Sequence, residues 1–343
     1  MLDVLHISEA LTTVKKPQIV VFGDFCLDKY LYIDASRDEP SLETGKIAFQ
    51  ITHQKLYAGA AGTVTNNLLA LGAKVVCVGL VGEDGEGTDL LRCLKKAGAD
   101  TSYMVVTSDR NTCTYMKPMH YRPNSLPSEE GNRLDIRNFT PTPRNLEEKL
   151  LENLSTVLPN VDAVVICDQF IEADCSVITS FVRQSLAKMA KKYPAIPFLA
   201  DSRGFIDQFS DMLVKCNDKE LASIFNLSPN TLTEAEIPIY AQKLSQRTMK
   251  PVFITLGPQG VLFSDGQDSE FIRGYTVPGP LDICGAGDAW NAGTLFALTK
   301  RLDFVSAALV GNTASSLVIQ QLGITGTTSV DAITERLTKW PNI

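Results

Sequence analysis

A turn of small residues within 280–293 is followed at once by a carboxylate, Asp288. The backbone N–H groups of Gly285, Ala286 and Gly287 can face an anion, because no bulky side chain blocks them and the next helix adds its positive N-terminal dipole. A carboxylate beside such an anion hole can accept a hydroxyl proton. This combination suits phosphoryl transfer. The alternative interpretation is an ordinary glycine turn with Asp288 as a helix N-cap.

The composition is that of a globular protein. With 343 residues, 44% hydrophobic and 21% charged, the chain can bury the core of one large α/β domain or two small ones. A net charge of −7 argues against a nucleic-acid surface, which needs clustered Lys and Arg. The eight cysteines and three histidines lack metal-ligand spacing, so we expect no structural zinc site.

The positions of the cysteines and the sequence of the N-terminus indicate the cellular compartment of the protein. Cys77 and Cys167 lie inside apolar strand-like runs, as expected for buried thiols in a reducing environment. The N-terminus lacks a signal-peptide pattern, and no stretch approaches the ~18 apolar residues of a membrane span. We therefore expect a cytoplasmic protein with neither a membrane partner nor a nucleic-acid partner.

Short β-branched runs alternate with longer segments of helical period along the chain. The predicted strands are 18–23, 74–79, 162–167, 196–200, 212–216 and 251–256. The predicted helices are 60–71, 86–97, 143–157, 174–192, 232–248, 286–300, 303–321 and 328–339. This alternation predicts an α/β fold with a mostly parallel central sheet, helices on both faces and ligands at the carboxyl ends of the strands.

Two stretches, 28–57 and 107–140, have no helical period and contain segments of alternating polarity. Connections this long in a compact domain are usually functional. We expect them to form a small β-lid over the active site or a β-surface for dimerisation. Plain surface insertion is the alternative.

A series of segments carries a resemblance to a known family. They are Gly-Asp-Phe-Cys-Leu-Asp at 23–28, the glycine-rich run 58–68 with 71–73 and 78–87, Lys-Cys-Asn-Asp-Lys-Glu at 215–220, Thr-Leu-Gly-Pro-Gln-Gly at 255–260 and Gly-Ala-Gly-Asp at 285–288. In this order they resemble the motifs of the ribokinase-like (PfkB) carbohydrate kinases, over nearly the whole chain. The form at 23–28 is closest to the D-glycero-β-D-manno-heptose-7-phosphate kinase branch.

The resemblance implies a single ribokinase-like kinase domain over 1–343, with ATP and Mg²⁺ as cofactors. Asp288 would be the general base on a sugar hydroxyl, and the backbone at Gly285, Ala286 and Gly287 would form the anion hole. No Walker loop occurs in the sequence, so phosphate charge must be handled by backbone amides, magnesium and a few side chains.

The same resemblance assigns a metal role to Asn217 and Glu220. They lie one helical turn apart after a predicted strand, so both can face one hydrated Mg²⁺ through water. An Asn cap with Glu at the third helical position, which needs no metal, is the alternative. Related kinases often hold a monovalent cation near the glycine turn, which leaves K⁺ at Asp282 as an open question.

On the substrate side, the resemblance implies Asp28, Gly59, Ala60, Thr63 and Asp168 as binding residues. The Asp28 carboxylate can accept hydrogen bonds from two vicinal hydroxyls. The chain departs from the family because Thr63 replaces the usual sugar-binding Asn, and this puts the identity of the substrate in doubt. Cys284 likewise stands where the family commonly has Thr.

On the nucleotide side, the resemblance implies Thr255, Gly257, Gly260 and Asn312. Small residues within 303–321 would let a flat adenine approach, although tight helix packing explains them equally well.

The predicted lid carries arginines that could bind a substrate phosphate, among them Arg133 and Arg137. A solvated lid surface explains them as well. By resemblance we also expect a homodimer through the β-lid.

Three possible functions are compared. A sugar kinase acting on a sugar or sugar phosphate is preferred. A dinucleotide oxidoreductase is disfavoured, because the turn after the first strand lacks G-x-G-x-x-G. A catalytically silent sugar or nucleotide sensor on the same fold is the alternative, although the complete turn ending at Asp288 argues against it.

Overall fold

The computed structural model describes residues 2–122, 125–228 and 231–340, so residues 123 and 124 of the predicted lid lie outside the described residues. The strands are β1 (Gln18–Gly23), β2 (Phe25–Asp34), β3 (Glu39–Pro40), β4 (Ile47–Ala48), β5 (Ile51–Ala60), β6 (Lys74–Val78), β7 (Leu80–Gly82), β8 (Val105–Thr107), β9 (Thr114–Arg122), β10 (Ser125–Glu130), β11 (Leu134–Ile136), β12 (Ala163–Asp168), β13 (Phe198–Ser202), β14 (Leu213–Asn217), β15 (Val252–Thr255), β16 (Gly260–Ser264) and β17 (Ser269–Arg273). The helices are α1 (Val4–Leu11), α2 (Ala61–Ala70), α3 (Gly85–Ala97), α4 (Arg144–Val157), α5 (Ser180–Lys192), α6 (Asp218–Ile224), α7 (Ile237–Thr248), α8 (Ala286–Thr299), α9 (Phe304–Val318) and α10 (Val330–Leu337).

The central sheet has the order β17-β16-β15-β14-β13-β12-β1-β6. Its strands from β6 to β15 run parallel, and the hairpin β16–β17 adds an antiparallel edge. Side chains alternate between two apolar cores: Ile19 of β1 packs into one and Val20 into the other. A strand buried on both faces reads as a continuous apolar run, which is why the mostly parallel sheet was predictable, and that prediction is confirmed.

A second sheet, which we call the lid, has the order β10-β9-β2-β5, with β11 paired to β9. β2 begins at Phe25, one residue after β1 ends, and β5 returns to Ala60 just before α2. The lid strands therefore start earlier and end later than the predicted segment 28–57. The long antiparallel β2–β5 pair connects the lid directly to β1 and α2 of the central layer.

Some helices and strands of the structure were not predicted from the sequence. α1 and α6 are short, and a helix of two turns shows too few periods to be recognised. The helix predicted from residue 174 begins only at Ser180, because Asp174 adopts a positive φ of 60° and its carboxylate accepts the Ser180 N–H and hydroxyl in a turn. The β16–β17 hairpin was also missed. None of the described helices is long and apolar enough to cross a membrane.

Polar residues stand at the carboxyl ends of adjacent strands of the central sheet. Asp24 follows β1, and its carboxylate accepts the backbone N–H groups of Gln169 and Val177, each at 2.9 Å. β1 lies between β6 and β12, so the direction of strand addition reverses here. Ligands of open α/β sheets bind at such a reversal.

Candidate active site

Asp288 lies in the first turn of α8, directly behind the glycine turn. Gly285 is the N-cap residue with φ 79°, and a side chain there would collide with Thr325, so the turn requires glycine. Burial raises the pKa of Asp288 to about 7, with Asp201 adding to the rise and Lys215 opposing it. Asp288 is thus poised to gain or lose a proton near neutral pH.

A buried network of an ion pair and a hydrogen bond lies against this turn. The Lys215 ammonium lies 2.7 Å from Asp201 Oδ2, and the Asn291 amide donates to the same oxygen at 2.6 Å. A Cβ on Gly287 would sit 3.1 Å from Lys215 Nζ, so the lysine packs directly against the turn. Although burial lowers it, the pKa of Lys215 is raised overall, with Asp201 the main cause. A positive charge is therefore fixed beside the glycine turn.

Lys215 and Asp201 were not predicted from the sequence as site residues. Both had a signal: Asp201 ends an apolar run, and Lys215 is a charge inside another. A lysine within a buried strand needs a partner, and the neighbouring strand end supplies it.

Asp28 is buried on β2, in the lid, and it is the first residue of the segment 28–57 that the sequence predicted for the lid. Asp28 Oδ1 lies 3.2 Å from Lys117 Nζ, which also donates to the Tyr30 hydroxyl at 3.1 Å. Although burial lowers it, the pKa of Lys117 rises to about 12, with Asp28 the main cause. Any side chain on Gly59 would collide with the Asp28 carboxylate, so glycine at 59 lets the two strands hold Asp28 in place.

The start of α2 faces the start of α8. Thr63 is buried, and its methyl group lies 3.5 Å from where a Cβ on Gly285 would be. Ala60, the N-cap of α2, has φ 52° and ψ −119°, a conformation costly for any residue but glycine. The predicted substrate residues Gly59, Ala60 and Thr63 thus lie at the end of β5 and the start of α2, beside the glycine turn at 285–287.

Asp168 ends β12 as predicted, but its side chain is fully enclosed. Oδ2 accepts the Ser202 hydroxyl at 2.7 Å and lies 3.6 Å from the Arg183 guanidinium. Oδ1 has no hydrogen-bond partner in the described part of the chain. Burial raises the pKa of Asp168 well above its usual range. A substrate contact through Asp168 stays a prediction.

Asn217 and Glu220 form a reciprocal capping box at the start of α6. The Asn217 side chain accepts the Glu220 N–H at 2.8 Å, and the Glu220 carboxylate accepts the Asn217 N–H at 2.7 Å. Burial raises the pKa of Glu220, and Asp201 adds to it. Both residues line a cleft of about 370 Å³ together with Arg203 and Lys219. The capping alternative is observed, and the magnesium role stays a prediction.

The predicted nucleotide residues lie beyond this cleft. The Thr255 hydroxyl donates to the Cys216 carbonyl at 3.3 Å, and Gly257 and Gly260 form the turn into β16. The Asn312 amide is occupied within the protein, since it accepts the Trp290 indole N–H at 3.0 Å and donates to two carbonyls at 3.2 Å. A contact between Asn312 and a base stays a prediction.

Asp282 clamps the loop before the glycine turn to the end of α9. Its carboxylate accepts the Cys284 N–H at 3.0 Å and the Gly323 N–H at 3.1 Å. Its own N–H donates to the Ile319 carbonyl at 2.8 Å. A monovalent cation at Asp282 stays a prediction.

The two lid arginines suggested for a substrate phosphate are already paired. Arg133 bonds both oxygens of Asp135, at 2.7 and 2.8 Å, and its guanidinium stacks on the Tyr115 ring. Arg137 forms an ion pair with Glu172. Lys117, held against Asp28, is the lid cation that adjoins the predicted sugar residues.

A parallel sheet with a β-lid, and a carboxylate behind a glycine turn at a helix N-terminus, define a sugar kinase of ribokinase-like fold. The family profile described as pfkB family carbohydrate kinase matches residues 16–330, and the chain belongs to this family.

Known relatives agree with this assignment. The bifunctional protein HldE of Aliarcobacter butzleri is 25% identical over 94% of this chain, which spans 64% of that relative's length. Ribokinase of Arabidopsis thaliana, solved with ribose and ATP, superposes with a TM-score of 0.69 at 18% identity, covering 94% of this chain and 99% of its own. Phosphofructokinase-2 of Escherichia coli, solved with potassium, gives 0.71 at 18% identity with the same coverage. These structures share the fold.

Proposed function

We propose that this kinase transfers the γ-phosphoryl group of ATP to a hydroxyl of a sugar or sugar phosphate, with Asp288 as general base. The observation that carries the proposal is the position of Asp288. It lies behind the amide turn of Gly285, Ala286 and Gly287, and its pKa of about 7 matches a group that accepts a proton at neutral pH.

The chemistry is a single displacement. The substrate hydroxyl oxygen forms a bond to the γ-phosphorus while the bond from phosphorus to the β–γ bridging oxygen breaks, and ADP leaves. Asp288 takes the hydroxyl proton. The amides of the turn and the nearby Lys215 stabilise the negative charge on the transferred group. Fixed donors aimed at the charge of the transition state usually make the largest electrostatic contribution to catalysis.

Asn217 and Glu220, at the rim of the 370 Å³ cleft, have side chains that suit a magnesium ion. Asn217 and Glu220 offer the oxygen ligands that Mg²⁺ prefers, in a cleft large enough for the waters it retains. Among the described residues no three His, Cys, Asp or Glu side chains converge as a direct metal cage. Bound there, the ion would neutralise phosphate charge. The potassium held by the Escherichia coli neighbour makes K⁺ dependence worth measuring for Asp282.

The sugar would lie between the lid and α2. Asp28 would accept hydrogen bonds from its hydroxyls, while Gly59, Ala60 and Thr63 would shape the floor. A heptose phosphate should be tested first, because the motif at 23–28 resembles the heptose-phosphate kinase branch.

Activity should be tested with a panel of sugars and sugar phosphates, following ADP release with Mg²⁺ and ATP. We expect Asp288→Asn to lower kcat by ~10² to 10⁴-fold, the usual contribution of a general base. Asp331→Asn, an acidic residue in the first turn of α10, is the matched control and should leave kcat unchanged. Ligand binding without turnover by the wild type would support the silent sensor instead.

A further inference from the structure

Arg203 is a cation at the cleft lined by Asn217 and Glu220, and the sequence motifs did not single it out. It immediately follows Ser202, the last residue of β13, and is exposed to solvent. Its side chain lines the 370 Å³ cleft together with Asn217 and Glu220, the residues assigned to magnesium. An exposed arginine at the carboxyl end of a central strand lies where open α/β sheets bind ligands.

The guanidinium is held by Gln169 at the end of the adjacent strand β12. With the amide oriented to satisfy both partners, Gln169 Oε1 accepts from Arg203 Nε at 3.1 Å and from a terminal nitrogen at 3.0 Å. Gln169 is itself fixed, because its backbone N–H donates to Asp24. One edge of the planar guanidinium is thus anchored by a neutral amide, and the remaining N–H groups can donate to an anion.

The positive charge of Arg203 acts on two carboxyl groups, one on the base side and one on the metal side. It opposes the pKa rise of Asp288, the proposed base, and also that of Glu220 on the metal side. Lys215 does the same but is bound to Asp201. No carboxylate forms an ion pair with Arg203 among the described residues, whereas Arg133 and Arg137 in the lid are paired.

The lid also contacts this anchor. The Tyr115 hydroxyl on β9 hydrogen-bonds the Gln169 side chain, and the Arg133 guanidinium covers the Tyr115 ring at 4.4 Å. A continuous path of contacts therefore runs from the lid through Tyr115 and Gln169 to Arg203.

We propose that Arg203 is a catalytic residue that binds the γ-phosphoryl group between Asp288 and the Asn217–Glu220 pair, and that Gln169 positions it. The inference rests on the proposed kinase function. Charge on the transferred group spreads over its equatorial oxygens, and a guanidinium fork matches two of them. An arginine that reaches the γ-phosphate but not the β-phosphate distinguishes ATP from ADP.

The test is the affinity for Mg-ATP and Mg-ADP, measured by calorimetry on wild type, Arg203→Met and Arg203→Lys. We expect Arg203→Met to weaken ATP binding roughly tenfold or more, the scale of one charge-assisted hydrogen bond, and to leave ADP binding unchanged. Arg203→Lys should restore part of the loss. Arg92→Met, an exposed arginine on α3, is the control. Equal weakening of ATP and ADP, or no weakening, overturns the proposal.

Gln169→Ala separates positioning from a structural role. It should reproduce part of the loss of ATP affinity, and the double variant Arg203→Met/Gln169→Ala should be no worse than Arg203→Met alone, since the two residues act as one unit. Additive losses would exclude Gln169 as the positioning residue.

The two proposals can fail separately. If wild type turns over a sugar and Asp288→Asn does not, but Arg203→Met keeps the wild-type kcat, the kinase function stands and the role of Arg203 falls. If no sugar is phosphorylated, the kinase function fails, while the ATP-to-ADP affinity ratio still decides whether Arg203 meets the γ-phosphate.

Discussion

Asp288 illustrates how a reactive residue lowers the stability of the protein that carries it. Its pKa is raised to about 7 from 3.8, mainly because burial disfavours the charged carboxylate. The folded state therefore holds its proton more tightly than the unfolded chain does. As pH rises from about 4 to about 7, the unfolded state loses this proton first, so stability falls across that window and stays lower above it.

Asp288→Asn removes this pH-dependent cost. We expect the stability gain of the variant over wild type to be about 2 kcal/mol larger at pH 8 than at pH 5, after allowing for partial solvent access. Urea unfolding of both proteins at the two pH values measures the difference. A gain independent of pH would show that the Asp288 carboxyl titrates at its ordinary value in the folded protein.

The local conformation around residues 285–288 was predictable, because one segment contains the whole signal. The turn at 285–288 combines small residues, a positive φ and a helix start, all of which can be read locally. The partners of Asp28 and Arg203 could not be predicted in this way. Lys117 meets Asp28 only through the parallel pairing of β2 with β9, which lie some ninety positions apart. Gln169 meets Arg203 only because β12 and β13 are neighbours.

At the level of elements, the start of α6 shows how the proposed metal role can coexist with a structural one. The capping box of Asn217 and Glu220 satisfies two N–H groups that the helix start would otherwise leave unpaired. It also fixes both side chains at the rim of the cleft. Structural and metal-binding roles are therefore compatible, and a substitution that preserves the cap can separate them.

Glu220→Gln is that substitution, because glutamine also completes a capping box. We expect the free energy of unfolding to change by less than about 1 kcal/mol, because the amide oxygen of glutamine can still accept the Asn217 N–H and keep the capping hydrogen bonds. The Mg²⁺ concentration for half-maximal activity should rise roughly tenfold or more, as it does when outer-shell partners of a metal are removed. Glu335→Gln, an exposed glutamate on α10, is the control. An unchanged Mg²⁺ requirement would leave Glu220 with the capping role alone.

For the whole molecule, the fold class was predictable because the parallel strands of the central sheet are buried on both faces and alternate along the chain with segments of helical period. The lid was only partly predictable. Its strands show alternation, but the order β10-β9-β2-β5 depends on long-range pairing that no local pattern specifies. The hairpin β16–β17 was missed although its pairing is local, because β17 is short and largely exposed and so shows no apolar run.

The lid order leaves β5 as an edge strand, and residues 51–55 are exposed. Ile51 is 51% exposed, and Phe49, just before the strand, is 57% exposed. An open apolar edge is a template for pairing with another chain unless it is covered. We propose that a second copy covers it, which gives a closed two-fold dimer through the lid.

Ile51→Lys tests this arrangement, because a charge at the centre of a two-fold interface meets its own copy. We expect wild type to be a dimer by light scattering at micromolar concentration and Ile51→Lys to be a monomer with an unchanged central fold by circular dichroism. Leu5→Lys, which puts the same charge on an exposed apolar site of α1, should stay dimeric. A monomeric wild type would show that the β5 edge is open in solution. A dimeric Ile51→Lys would place the interface elsewhere on the molecule.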